Sequence, residues 1–170
     1  MNISPVQLKA PNFVNTVMKC VSKYSIQPDT LELEITESIF ISDIGRITSL
    51  LGELRSFGVR ISLDDFGTGY SSLRYLGNIP VDTLKFDKSF VDNITQENVL
   101  GTEIIASLIP VTKRACIETI AEGVEHDEQL TALGTIGCTC VQGFLWGKPM
   151  SLEKCELFIH GDMSALEYLI

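Results

Sequence analysis

Apolar and polar positions follow two rhythms along this chain. In the first, Leu31, Leu33 and Ile35 point one way and Glu32 and Glu34 the other, the two-residue period of a strand with one apolar face. In the second, Ile44, Ile47, Leu50, Leu51, Leu54 and Phe57 recur at helical spacing, with Asp43 as the opening cap and Gly58 as the stop. Met1 to Ser4 reads as the tail of a strand, and Pro5 opens a helix that ends near Tyr24, with Val14, Val17, Met18 and Val21 as its stripe. Further strands are predicted at 31–36, 59–64, 81–86, 116–121 and 138–142. Helices are predicted at 44–57, 73–76, 102–115, 127–133 and 152–159, with another turn or two at 163–170. Pro110 removes a backbone donor inside one of them, so a kink or split is expected near Ile109.

Strand and helix alternate throughout, and the chemically capable residues fall at strand ends. That is the pattern of a TIM-like (β/α)₈ barrel read at its catalytic face, in the α/β class. Such a barrel takes eight strands and roughly 250 residues, whereas this chain of 170 residues supplies six predicted strands. The expectation is a single domain over residues 1–170, an incomplete barrel of about six β/α units with the N-terminal two missing. The predicted strands should lie parallel and adjacent in chain order, with Asn2 at the edge before them. Open edges and an uncovered apolar face invite association, with a second copy as a homo-dimer or with the missing N-terminal segment.

Composition narrows the function classes. The 45% hydrophobic and 21% charged content describes a globular chain. No apolar run is long enough to span a bilayer and the first residues form no secretory signal, so direct membrane insertion is not expected and a cytoplasmic location is. A net charge of −9 opposes binding to polymeric nucleic acid, and a phosphate ligand would need metal ions as mediators. The five cysteines lack CxxC spacing and read as reduced thiols, although Cys138 and Cys140 would share a strand face and could hold a soft metal. His126 and His160 are the only histidines, which leaves carboxylate chemistry with a hard cation such as Mg²⁺ or Mn²⁺.

The stretch from Ile61 to Leu73 concentrates that chemistry. Val59, Ile61 and Leu63 supply a buried strand, Asp64 and Asp65 end it, and Gly67 and Gly69 allow positive φ and close approach to a ligand. Ligands of α/β folds bind at the carboxyl ends of strands, so the paired Asp is a metal or acid/base candidate. An Asx turn capping the loop is the plainer alternative.

Asp64-Asp65-Phe66-Gly67-Thr68-Gly69-Tyr70-Ser71-Ser72-Leu73 resembles the signature of bacterial EAL domains, the phosphodiesterases of cyclic di-GMP. It is joined, in the family's order, by Leu31 to Ser38, Leu84 to Phe90, Ala121 to Glu125 and Gln142-Gly143-Phe144. The resemblance implies a two-metal site for Mg²⁺ or Mn²⁺: Asn2, Glu34 and Asp64 on one ion, with Asp64 bridging to a second held by Asp65 and Glu122. It implies that Lys85 steadies the nucleophilic water and phosphate, that Glu122 is alternatively a general base, and that Gln142 orients water. It makes Glu37 the anchor of a substrate loop containing Phe66, Gly67, Thr68 and Gly69, and cyclic di-GMP the ligand. Taken as residues alone, Asn2 could be a loose terminus, Glu34 and Lys85 solvated side chains, Glu122 and Glu125 partners of a helix dipole, and Gln142 an ordinary strand end. The name-giving Glu-Ala-Leu, whose Glu is the fourth ligand of the first ion, is absent from the sequence, so the chain alone is expected to turn over weakly or not at all. A non-catalytic module for cyclic di-GMP binding or protein interaction is the alternative.

Overall fold

A computed structural model describes residues 1–41, 43–67, 76–92, 94 and 99–160. Five strands, β1 (Glu32–Thr36), β2 (Arg60–Phe66), β3 (Thr83–Phe86), β4 (Glu118–Glu122) and β5 (Cys140–Gln142), form one sheet in chain order. Every neighbouring pair is parallel. Helices α1 (Pro5–Lys9), α2 (Phe13–Lys23), α3 (Ile44–Ser56), α4 (Lys88–Asp92), α5 (Val99–Arg114), α6 (Asp127–Thr135) and α7 (Leu152–Ile159) precede, link and follow the strands. The order and direction are those the hydrophobic pattern predicts, and the architecture is α/β and TIM-barrel-like.

The two faces of the sheet differ in chemistry. Leu33 and Ile35, Ile61 and Leu63, Leu84 and Phe86, and Ala121 are fully or almost fully buried and share a core with Ile47, Leu50, Leu51 and Leu54 of α3 and with Ile105 and Leu108 of α5. The alternate positions carry Glu32, Glu34, Ser62, Asp64, Thr83, Lys85 and Glu122, with Glu34 registered on Ser62 and Ser62 on Thr83. Burial of the apolar set, at about 25 cal/mol per Å², drives the sheet onto its helices and leaves the polar set toward the inside of the curve.

Four sequence expectations are corrected. The single helix from Pro5 to Tyr24 is two, because Ala10 is extended (φ −62°, ψ 130°), as the residue before Pro11 must be to avoid the proline ring. The helix containing Pro110 is continuous from Val99 to Arg114, so the split allowed near Ile109 does not occur. Pro110 lies on its exposed side, and the Thr112 hydroxyl donates to the carbonyls of Leu108 and Ile109 at 3.2 and 3.0 Å, so nearby polar groups have partners despite the missing amide. Of six expected strands, five are described, and residues 1–4 contribute an isolated parallel bridge between Asn2 and Glu34. Cys138 precedes β5 and is buried while Cys140 is exposed, so they do not share a strand face. The expected helix at 73–76, apart from Leu76, and the closing turn at 163–170 lie outside the described residues, as do Thr68 and Gly69.

Candidate functional site

The carboxyl ends of the strands bring most of the expected site residues together. Lys85, the third residue of β3, is only 5% exposed. Its Nζ lies 2.8 Å from Glu34 Oε1 on β1, 2.7 Å from Glu122 Oε1 on β4 and 3.9 Å from Asp64 Oδ1 on β2. One ammonium therefore links three strands. Burial pulls the Lys85 pKa down, but the hydrogen bonds to Glu122 and Glu34 outweigh it, and the net shift is upward. The group stays a cation throughout the physiological range.

Asp64, Asp65 and Glu122 each offer an oxygen within 4.8 Å of the other two. Adjacent strand residues normally face opposite sides, so this convergence needs a local device. Leu63 is registered on Leu84 and Phe66 on Phe86, so β2 carries one extra residue there, and Asp65 takes a left-handed φ of 54°. This β-bulge re-aims the second carboxylate. Asp64 Oδ1 also accepts the Asp65 N–H at 3.0 Å. Burial raises the Asp65 carboxyl pKa, and the charges of Asp64 and Asp87 add to the shift. Burial likewise raises Glu122, and Asp64 and Asp65 oppose Lys85 in keeping it raised. Excess negative charge in a partly dry place is the condition a divalent cation relieves.

The remaining residues sit around this cluster. Asn2 is held beside Glu34 by two backbone bonds, Ile3 N–H to the Glu34 carbonyl at 2.8 Å and Glu34 N–H to the Met1 carbonyl at 2.9 Å. Gln142 ends β5 in register with Glu122. Glu37 is buried and accepts the Gly67 N–H in a long 3.4 Å bond. Phe66 packs edge-on to Phe86 in the core, with ring centroids 6.3 Å apart. Gly67 has φ 100°, and a Cβ there would overlap the Phe90 ring.

Asp87, which is outside the set of residues that the sequence points to, acts by its charge on Asp65. Its position two residues after Lys85, just past the end of β3, is the available signal. Its Oδ1 accepts from the Ser89 N–H and hydroxyl.

Fold and site together define a TIM-barrel-like α/β domain with an acidic, lysine-centred site at the carboxyl ends of its strands. The EAL domain family model matches residues 1–149, and the chain belongs to that family. It is 36% identical over 154 residues to the bifunctional diguanylate cyclase/cyclic di-GMP phosphodiesterase MucR of Pseudomonas aeruginosa, covering 91% of this chain and 22% of MucR. The crystal structure of the EAL domain of Mycobacterium smegmatis DcpA matches with a TM-score of 0.87 at 36% identity, covering 94% of this chain and 71% of that one. The Klebsiella pneumoniae BlrP1 manganese/cy-diGMP complex matches with a TM-score of 0.81 at 31% identity, covering 88% and 38%. The chain thus spans about a fifth of the length of the curated relatives it matches.

Proposed function

We propose that this domain opens cyclic di-GMP to the linear dinucleotide pGpG at the carboxyl ends of its strands, with two Mg²⁺ or Mn²⁺ ions. The observation that carries the reading is the convergence of Asp64, Asp65 and Glu122 within 4.8 Å. An all-oxygen, anionic donor set suits a hard divalent cation. In this reading Asp65 and Glu122 would hold one ion and Asn2 and Glu34 the other, and Asp64 would contribute to both. When bound, such ions supply an activated water and neutralise the charge of the phosphodiester.

The protein's own groups then have distinct tasks. Lys85 keeps its proton, so it cannot be a base; it orients Glu34 and Glu122 and can offer an N–H to the water or a phosphate oxygen. Glu122, with its raised pKa, is the alternative proton acceptor. Gln142, in register with Glu122, orients water, and Glu37 anchors the loop that begins at Phe66-Gly67. Cyclic di-GMP as ligand is supported by the names of MucR and of the BlrP1 complex. A cytoplasmic location is part of the same reading, supported by five cysteines of which none is paired.

The missing Glu-Ala-Leu favours slow turnover by these residues alone, with nucleotide binding retained. The test is pGpG release in Mn²⁺, with thermal melting alongside. Mn²⁺ at 100 times its Kd should stabilise the chain by about 2.7 kcal/mol, and Asp64→Asn should abolish both that gain and any pGpG release. A melting temperature indifferent to millimolar Mn²⁺ would refute the metal reading, whereas cyclic di-GMP left intact by a chain extended upstream through a Glu-Ala-Leu segment, with metal and nucleotide both bound, would leave a binding module.

A further inference from the structure

The turn that carries Glu122 is held from outside the carboxylate cluster. Gly123 adopts φ 75°, and a Cβ there would overlap the side chain of Lys88 from Cβ to Cδ. The Lys88 stem therefore lies flat on the turn, in the space another side chain would fill. Beyond the stem, Lys88 Nζ donates to Glu125 Oε1 at 2.5 Å, with Asp92 Oδ1 at 4.0 Å. Lys88 opens α4 two residues after β3 ends, so this contact ties the end of β3 to the tip of β4. A second strut lies alongside: buried Gln129 of α6 accepts the N–H groups of Glu125 and His126 at 2.8 and 3.0 Å and donates to the Val91 carbonyl of α4 at 3.4 Å.

We propose that Lys88 is a positioning residue for divalent-cation binding, its stem and its ion pair with Glu125 clamping the Glu122-Gly123 turn so that the Glu122 carboxylate meets Asp64 and Asp65. The proposal rests on the reading that these carboxylates hold a divalent ion. An ion pair this exposed adds little to global stability. Its leverage is geometric, because the turn it presses on bears the one carboxylate of the trio that does not come from β2. Loss of an outer partner that orients a ligand costs about 10- to 100-fold in metal affinity.

The test is Mn²⁺ affinity, followed by the free-ion electron paramagnetic resonance signal of Mn²⁺ alone, with melting of the metal-free proteins measured beside it. Lys88→Ala should weaken Mn²⁺ binding about tenfold or more while leaving the metal-free melting temperature nearly unchanged. Lys88→Met, which keeps the stem and loses the charge, should fall between Ala and wild type. Lys88→Arg, which keeps both, should restore most of the affinity. Asp64→Asn is the reference that tests the parent reading. Wild-type affinity in Lys88→Ala, with binding lost in Asp64→Asn, would overturn the clamp and leave the metal site standing. Equal affinity in Met and Ala would remove the stem from the argument, and a large drop in metal-free melting would make Lys88 a structural residue. A wild-type protein that binds no Mn²⁺ would overturn both readings.

Discussion

Lys85→Met in metal-free buffer separates what the ammonium does for the fold from what it does for chemistry. Methionine fills much of the same volume and cannot neutralise anything. Glu34 Oε1 and Glu122 Oε1 both lie against Nζ, so the two oxygens are at most about 5.5 Å apart, and at an effective dielectric of about 20 their repulsion is about 3 kcal/mol. Removing one partner of a buried pair costs a similar 3–5 kcal/mol or so. With about 2–4 °C per kcal/mol for a domain of this size, the lower figure predicts a fall in Tm of roughly 6–12 °C at pH 7 in EDTA. The sign with pH follows from the same groups. Lys85 has a raised pKa, so its stabilisation is complete everywhere below its unfolded value and is lost only in strong alkali. Glu122 and Asp65 have raised pKa values, so they cost stability at neutral pH and stop costing it as pH falls through their folded values. Without the ammonium that cost grows, so the Tm deficit of Lys85→Met should shrink between pH 7 and pH 5. Saturating Mn²⁺ should narrow it too. Calorimetry at pH 5, 7 and 8, with and without Mn²⁺, reads all of this. A deficit under 2 °C at pH 7, or one of equal size at all three pH values, would refute the electrostatic account.

Two further outcomes are expected. Gly143→Ala should destabilise by about 1–3 kcal/mol, as overpacking does, since a Cβ there would overlap the backbone of Val124, and urea unfolding measures it. The outer edge of β5 has no partner among the described residues, and Phe144 and Trp146, which follow it in the chain, are exposed, so we propose that this edge self-associates; a concentration-independent monomer in light scattering would count against it.

The strand order and the polar inner face were legible because alternation and helical periodicity are local signals. Leu33 and Ile35 face the helices and Glu34 the inside of the curve, as the pattern of β1 requires. The proline rule marks a break at Ala10, but the regular stripe of Val14, Val17 and Val21 favours one continuous helix. Pro110 misled in the opposite direction, because a solvent-side position in a packed helix tolerates a missing amide that a lone helix does not. Distances could not be read at all. Nothing in the alternation of β3 says that Lys85 will be buried under carboxylates from three other strands, since that depends on register between segments far apart in sequence.

The adjacent carboxylates pose the sharper problem, and its solution was partly written in the chain. Ile61 and Leu63 face the helices, so strict alternation would put Asp65 on that apolar side and leave Phe66 inside the curve with the acids. Phe66 is instead 2% exposed in the core, edge-on to Phe86. The apolar positions 61, 63 and 66 thus change parity, and a parity change in a strand requires an odd residue somewhere between them. Asp65 is the residue that takes it up, and aspartate is among the few side chains that accept a left-handed φ readily. One step therefore does two things: it returns Phe66 to the core and turns Asp65 toward Asp64 and Glu122. Burial of a large aromatic ring contributes on the order of 1.5–3 kcal/mol, enough to hold two like charges side by side that would otherwise move apart. The acidity of the site is thus sustained by packing on the opposite face of the same strand.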